Sequence, residues 1–149
     1  MTPKRNIPPK ITSILKKATE LHGHLGPFLA IGVRMGLVGL DRIGPTNRKS
    51  LAVTASLPLR VPFSCIIDGL QISTQCTVGN QKLSLKNSSS IHAKFKRKED
   101  EQEIIIALNK STFEKLKSQL LQKRLSDDEV RKLAWKIVRI PESELFVIT

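Results

Sequence analysis

Apolar residues fall at positions 11, 14, 15, 18 and 21, the three-and-four spacing of one helix face, and predict a first helix over 11–21. A polar break follows, and Pro27 opens an apolar run to Leu40 whose one charge is Arg34. Proline suits a first helical turn, where its missing N–H costs nothing, so a second helix is expected over 27–41. That helix carries Gly32 and Gly36, with Ala30 and Gly39 nearby, a stripe of small residues that serves either tight core packing or a homodimer. The period then falls to two. "NRKSLAVTASLPLRV" predicts a strand over 50–61, "QKLSLK" and "IHAKFKRK" predict strands over 82–86 and 91–98, and a further strand follows "KEDEQ" over 103–108. Between the first two strands, "SCIIDGLQIST" places Ile66, Ile67 and Leu70 at helical spacing, giving a short helix over 64–73 with Ser64 as its N-cap. Two helices close the chain as a hairpin, each opening with a capping box: "STFE" at Ser111 to Glu114 and "SDDE" at Ser126 to Glu129. Their apolar stripes are Phe113, Leu116, Leu120 and Leu121, then Val130, Leu133, Ala134 and Ile137. Pro141 ends the last helix, and "LFVIT" adds an edge strand.

With 149 residues, the chain fits one domain over 10–149 behind a loose arm, 1–9, that holds two basic residues and three prolines. The longest apolar run, Phe28 to Leu40, is too short for a membrane span of ~20 residues. No apolar stretch follows the N-terminal charges as a signal peptide would require. Together with two cysteines in a reducing compartment, this predicts a cytoplasmic protein. The net charge is +12, and its distribution is uneven: no acid stands between Asp68 and Glu99, where Lys82, Lys86, Lys94, Lys96, Arg97 and Lys98 fall. Strand alternation puts Lys82, Lys86, His92, Lys94 and Lys96 on one sheet face, away from Leu83, Leu85, Ile91, Ala93 and Phe95. Such a face attracts an acidic partner protein, a phosphorylated ligand or nucleic acid, or is plain solvated surface. With no Tyr, one Trp and five Phe, the chain lacks the aromatic platforms of single-strand binders, which places nucleic acid behind the other partners.

The candidate chemistry lies in two places. His22-Gly23-His24 precedes Gly26-Pro27, and in an extended loop the two imidazoles would fall on one side, a pair of ligands for zinc or a similar ion. A solvated loop is the other reading. Cys65 follows Ser64 at the start of a helix, where the dipole favours the thiolate. Cys76 lies eleven residues on; along one continuous helix its sulfur would stand ~16 Å away, so only a turn after residue 73 could return it. Taken alone, each cysteine reads equally as a small buried residue.

"HGHLGPFLAIGVRMG", His22 to Gly36, and "CIIDGLQISTQCTVGNQKL", Cys65 to Leu83, together resemble the E-subunit family of formylmethanofuran dehydrogenase (FmdE), named from its association with molybdenum and tungsten enzymes. The resemblance covers about Leu21 to Phe95. It implies an α+β fold: a two-layer sandwich with helices packed on a mostly antiparallel mixed sheet, here followed by the helical hairpin. It also implies a metal site at His22, His24, Cys65 and Cys76, with Asp68 and Gln71 as polar neighbours that could contact a cofactor. The chain departs from the family in three respects. Gly26 stands where the family has a cysteine, Gln75 stands where the family has a glycine before its later cysteine, and the C-terminal zinc ribbon with paired Cys-x-x-Cys motifs is missing.

These readings lead to two expectations. The first is a Zn²⁺ protein acting on or carrying a small anionic ligand, or accessory to a molybdenum or tungsten formylmethanofuran dehydrogenase-type enzyme. Gly26 should leave space beside His24 at the N-terminus of the second helix, giving a concave site lined by His22, His24, Cys65 and Gln71. An open ligand position would be catalytic in style and a closed set structural; Asp68 is the only acid inside the two motif blocks, so no reaction is assigned. The second is a basic adaptor for an acidic partner or nucleic acid, with no functional metal site.

Overall fold

The computed structural model describes residues 8–122 and 124–149, leaving aside the Arg48 side chain. Of the expected loose arm, residues 1–7 lie outside the described residues. The chain runs α1 (Pro9–His22), α2 (Pro27–Ile43), a 3-10 turn (Arg48–Ser50), β1 (Leu51–Leu57), α3 (Cys65–Thr74), β2 (Leu83–Asn87), β3 (His92–Arg97), β4 (Gln102–Leu108), α4 (Lys110–Gln122), α5 (Asp127–Arg139), α6 (Glu142–Leu145) and β5 (Phe146–Ile148). The strands form one sheet in the order β2-β1-β3-β4-β5. β1 and β2 are parallel, joined by the α3 crossover, and every other pair is antiparallel. This is the expected α+β fold.

Several element ends differ from the sequence reading. β1 stops at Leu57 because Pro58 has no N–H to continue the ladder, and Leu59 N–H turns to Asn87 Oδ1 at 3.1 Å. Ser64 does not cap α3 with its side chain. Backbone carbonyls of Arg60, Pro62 and Phe63 take the N–H groups of Ser64, Cys65 and Ile66 instead, so no side-chain cap is needed. The "STFE" box is not used either. α4 begins two residues earlier than that box would set it, and Asn109 Oδ1 accepts the Thr112 N–H at 3.2 Å. Asn109 also donates its own N–H to Leu145 O, which fixes it at the helix entrance. The "SDDE" box at Ser126 forms as read, with both reciprocal bonds.

The small-residue stripe of α2 is consumed inside the chain. A Cβ on Gly32 would sit 2.3 Å from the Ile66 carbonyl oxygen, and one on Gly69 of α3 would sit 2.5 Å from the Leu29 carbonyl oxygen. The two helices therefore meet backbone to backbone. One turn and two turns further along, Gly36 admits Ser73 and Gly39 admits the Phe95 ring of β3. α2 thus joins α3 to the sheet, and Leu29, Ile31, Val33 and Met35 around the stripe are fully buried.

Arg34 is the buried exception on α2, 8% exposed. Its Nη1 donates to Ile137 O at 3.0 Å and also to Ile140 O, the carbonyls at the end of α5. A cation at a helix C-terminus satisfies orphan acceptors and complements the dipole. Phe28, Phe63 and Phe113 pack edge to face, with centroids 5.2–6.3 Å apart, and tie α2, the segment before α3, and α4 together.

Two consequences follow for stability. Gly32→Ala and Gly69→Ala each lower it by about 1–3 kcal/mol or more, despite the helix-propensity gain of about 1 kcal/mol, because the added methyl meets backbone. The measurement is a lower denaturant midpoint at unchanged m-value. Arg34→Met, which removes the guanidinium donor from Ile140 O and leaves Ile137 O only the Ile140 N–H, costs about 1–3 kcal/mol in the same assay.

Candidate functional site

α1 ends at His22. Gly23 takes φ 101°, and its N–H bonds Thr19 O at 2.8 Å, the left-handed stop that favours glycine. The His-Gly-His segment is therefore not an extended loop. The chain reverses at Gly23 instead, and this brings the His24 ring beside that of His22, with centroids 4.7 Å apart and planes tilted by 45°.

His22 Nδ1 lies 2.7 Å from Asp68 Oδ2. Asp68 stands in the first turn of α3, and Gln71, one turn on, donates Nε2 to Asp68 Oδ1 at 3.3 Å. Gln71 Oε1 in turn accepts the Val78 N–H at 3.0 Å. A carboxylate only accepts, so the proton of a neutral His22 is assigned to Nδ1 and Nε2 carries the lone pair. That Nε2 is shielded from solvent, and it is the one buried side-chain nitrogen or oxygen without a hydrogen-bond partner among the described residues.

His22, His24 and Cys65 line one cavity of about 250 Å³, with Gly26 and Pro27 at the start of α2. Its other walls are apolar and come from Phe28, Pro62, Leu120 and Leu121. Val130 of α5 also lines it: a Cβ at Gly26 would lie 3.4 Å from Val130 Cγ1, so α5 occupies the space that glycine leaves. The sequence reading expected that space to widen the site.

The surroundings of Cys65 act against the expected thiolate. Burial pushes its thiol above the ordinary value, the Asp68 charge adds to this, and only a backbone hydrogen bond opposes them. Removal from water outweighs the helix terminus.

Cys76 is not brought to this cavity. Gln75 ends α3 in the left-handed region, and the turn beyond it carries Cys76 into the core, 2% exposed, with Sγ 3.9 Å from Leu51 O on β1. Ten residues of helix, ~15 Å at 1.5 Å per residue, separate the two cysteines. Gln71 does not line the cavity either; it stands behind Asp68. Among the described residues, no three His, Cys, Asp or Glu side chains stand close enough together to hold an ion as they are placed. Three of the four expected donors therefore share one cavity, and their contraction around an ion would have to come with binding. The walls from Leu120, Leu121 and Val130 were missed from sequence, where they showed only as members of amphipathic stripes.

Fold and site together define a small α+β protein whose histidine pair and cysteine share a pocket backed by a carboxylate and an amide. The chain belongs to the FmdE family: the family model described as "FmdE, Molybdenum formylmethanofuran dehydrogenase operon" matches residues 21–147. A relative in Archaeoglobus fulgidus, named "Probable S-adenosyl-L-methionine-binding protein", is 27% identical over 155 residues. The match covers 93% of this chain but 42% of that relative, so the chain spans less than half its length. An FmdE-like protein from Syntrophus aciditrophicus, described as of the tungsten formylmethanofuran dehydrogenase type, shares the fold. Its TM-score is 0.67 at 20% identity, covering 100% of this chain and 76% of that one. Among the described residues, no helix is long and apolar enough to cross a membrane.

A thiol whose folded pKa is raised is more protonated at neutral pH than a free one. In chelator-treated protein, Cys65 therefore reacts with iodoacetamide more slowly than a cysteine peptide at pH 7–8, with a pH midpoint above the peptide's. Asp68→Asn removes the repelling charge and shifts that midpoint down. The check is the alkylation rate against pH, with Cys65 identified by mass spectrometry.

Proposed function

We propose that this FmdE-family chain is a metal-binding protein that holds Zn²⁺ through His22 Nε2, His24 and Cys65, leaving Cys76 out of the set. The buried, unpartnered His22 Nε2 carries the reading. An imidazole that donates one N–H to a carboxylate while its other nitrogen is buried without a partner, in a residue that lines a cavity, fits the arrangement in which outer partners orient histidine ligands. Asp68 is then the orienting group and Gln71 holds Asp68; neither binds the ion. Mixed imidazole and thiolate donors suit zinc, and three protein ligands leave a fourth position for water or a ligand oxygen. When bound, such an ion supplies Lewis acidity. The protein's part is to hold the imidazoles, release the Cys65 proton on binding, and keep bulk water out with Leu120, Leu121 and Val130.

The family description supports a role accessory to formylmethanofuran dehydrogenase-type chemistry, and the fourth position left by three protein ligands supports a site that carries or acts on a small anionic ligand. The cavity, at about 250 Å³, lies below the ~300–1,000 Å³ usual for drug-sized ligands. This favours a few-atom ligand over S-adenosylmethionine, the molecule in the Archaeoglobus relative's name. Elemental analysis of protein grown with zinc gives about one ion per chain. His22→Ala and Cys65→Ala abolish it, Cys76→Ala retains it, and Asp68→Asn weakens affinity ~10–100-fold. A metal-free protein after zinc supplementation overturns the proposal.

The sheet supports a second reading, a basic adaptor. On the face turned away from α2, Lys94 stands opposite Thr54 and Ile105, Lys96 opposite Ala52 and Glu103, and His92 and Lys86 both opposite Ser56. Lys96 pairs with Glu103 at 3.9 Å. If this face docks a polyanion, retention on heparin or DNA falls linearly in log[salt], with a slope of ~0.9 per phosphate on duplex DNA, and Lys86→Gln with Lys94→Gln reduces that slope. Retention lost well below physiological salt, and unchanged in the variant, removes the adaptor reading.

A further inference from the structure

We propose a second binding site, for an organic phosphate, in the cavity enclosed by the segment after β1, the β2–β3 turn and α4. The cavity holds about 460 Å³. Two cations line it. The Arg60 guanidinium lies 5.5 Å from the Phe63 ring centroid, and Lys117 Nζ lies 5.8 Å from that of Phe113. The two rings touch each other edge to face at 5.6 Å, so the cations are seated on neighbouring aromatic faces. Neither forms an ion pair among the described residues, and no carboxylate lines the cavity. Two unneutralised like charges at one concave site concentrate anions there.

The opposite wall supplies neutral donors. Asn87 uses Oδ1 to accept the Leu59 N–H, which leaves its amide NH₂ for a ligand. The Ser88 hydroxyl stands 3.2 Å from that of Ser90, and the Ser89 hydroxyl adds another donor at the rim. A phosphate monoester brings a charge of about −1.5 to −2 and three acceptor oxygens, which match two cations with hydroxyl and amide donors better than a single carboxylate charge does. The volume lies within the ~300–1,000 Å³ of small-molecule sites and exceeds what the phosphate group fills. Phe63, Phe113 and Pro58 offer apolar surface to the rest of the molecule. The site is separate from the histidine cavity: Phe28 and Pro62 line that one, Phe63 and Phe113 line this one, and the aromatic cluster stands between them.

The test is a titration of ¹⁵N-labelled full-length protein with phenyl phosphate, inorganic phosphate and benzoate, followed by amide shifts. Phenyl phosphate gives saturable shifts at Leu59, Arg60, Phe63, Ser88, Ser89 and Lys117, and binds more tightly than inorganic phosphate or benzoate. Arg60→Gln and Lys117→Gln each weaken it about tenfold or more, as loss of a charge-assisted contact predicts. His24→Ala leaves it unchanged, so failure of the metal proposal does not affect this one. Neither cation is buried, and unaltered melting of the variants confirms that the fold is retained. Absence of saturable shifts at millimolar phenyl phosphate, or undiminished affinity in the double variant, overturns the site. Equal affinity for benzoate overturns the ligand class.

Discussion

α2 and α3 touch through their backbones, and the positions of the site residues follow from that contact. Gly32 and Gly69 let the helices approach until a methyl on either would overlap a carbonyl oxygen. Ordinary side chains would hold helices 8–10 Å apart between axes. The contact sets where α3 lies, and therefore where Asp68, the neighbour of Gly69, points. α1 packs on α3, so the end of α1 delivers His22 to that carboxylate. The histidine geometry thus traces back to two residues that have no side chain.

The electrostatics of the site follow from the same burial. His22 Nε2 is held out of water with no partner, and the Cys65 thiol is raised by desolvation and by Asp68. Both are unfavourable for a pocket that does nothing, since a buried polar atom without a partner costs free energy. A cation in the pocket would reverse both terms: it would accept the lone pair and would favour the thiolate that Asp68 opposes. The aromatic cluster separates this cavity from the one bearing Arg60 and Lys117, and keeps the two sets of charges on opposite sides of a packed apolar wall.

Much of this was legible in the chain. Period 3.6 located α1, Pro27 and the apolar run behind it located α2, period two located β2 and β3 and sorted Lys94 and Lys96 from Ala93 and Phe95, and the box at Ser126 marked the start of α5. Caps were less legible where competitors stood nearby. Asn109 displaced Ser111, and backbone carbonyls displaced Ser64, because a cap is decided by which acceptor the preceding chain holds in place. For the site, the two motif blocks named His22, His24 and Cys65, and these three line one cavity.

Local pattern was enough for most of the elements and the basic sheet face, because periodicity and short-range spacing are properties of neighbouring residues, whereas the α+β class came from the resemblance of the two motif blocks and the short α6 showed no signal. Long-range packing alone settled that Asp68 backs His22, that Cys76 goes to the β1 side of the core, that Val130 fills the space beside Gly26, and that Arg60 and Lys117 meet across one cavity. Each of these pairs residues far apart in the chain. Their meeting depends on how closely helices pack and how a turn such as that at Gln75 is aimed, and no short stretch of residues encodes either.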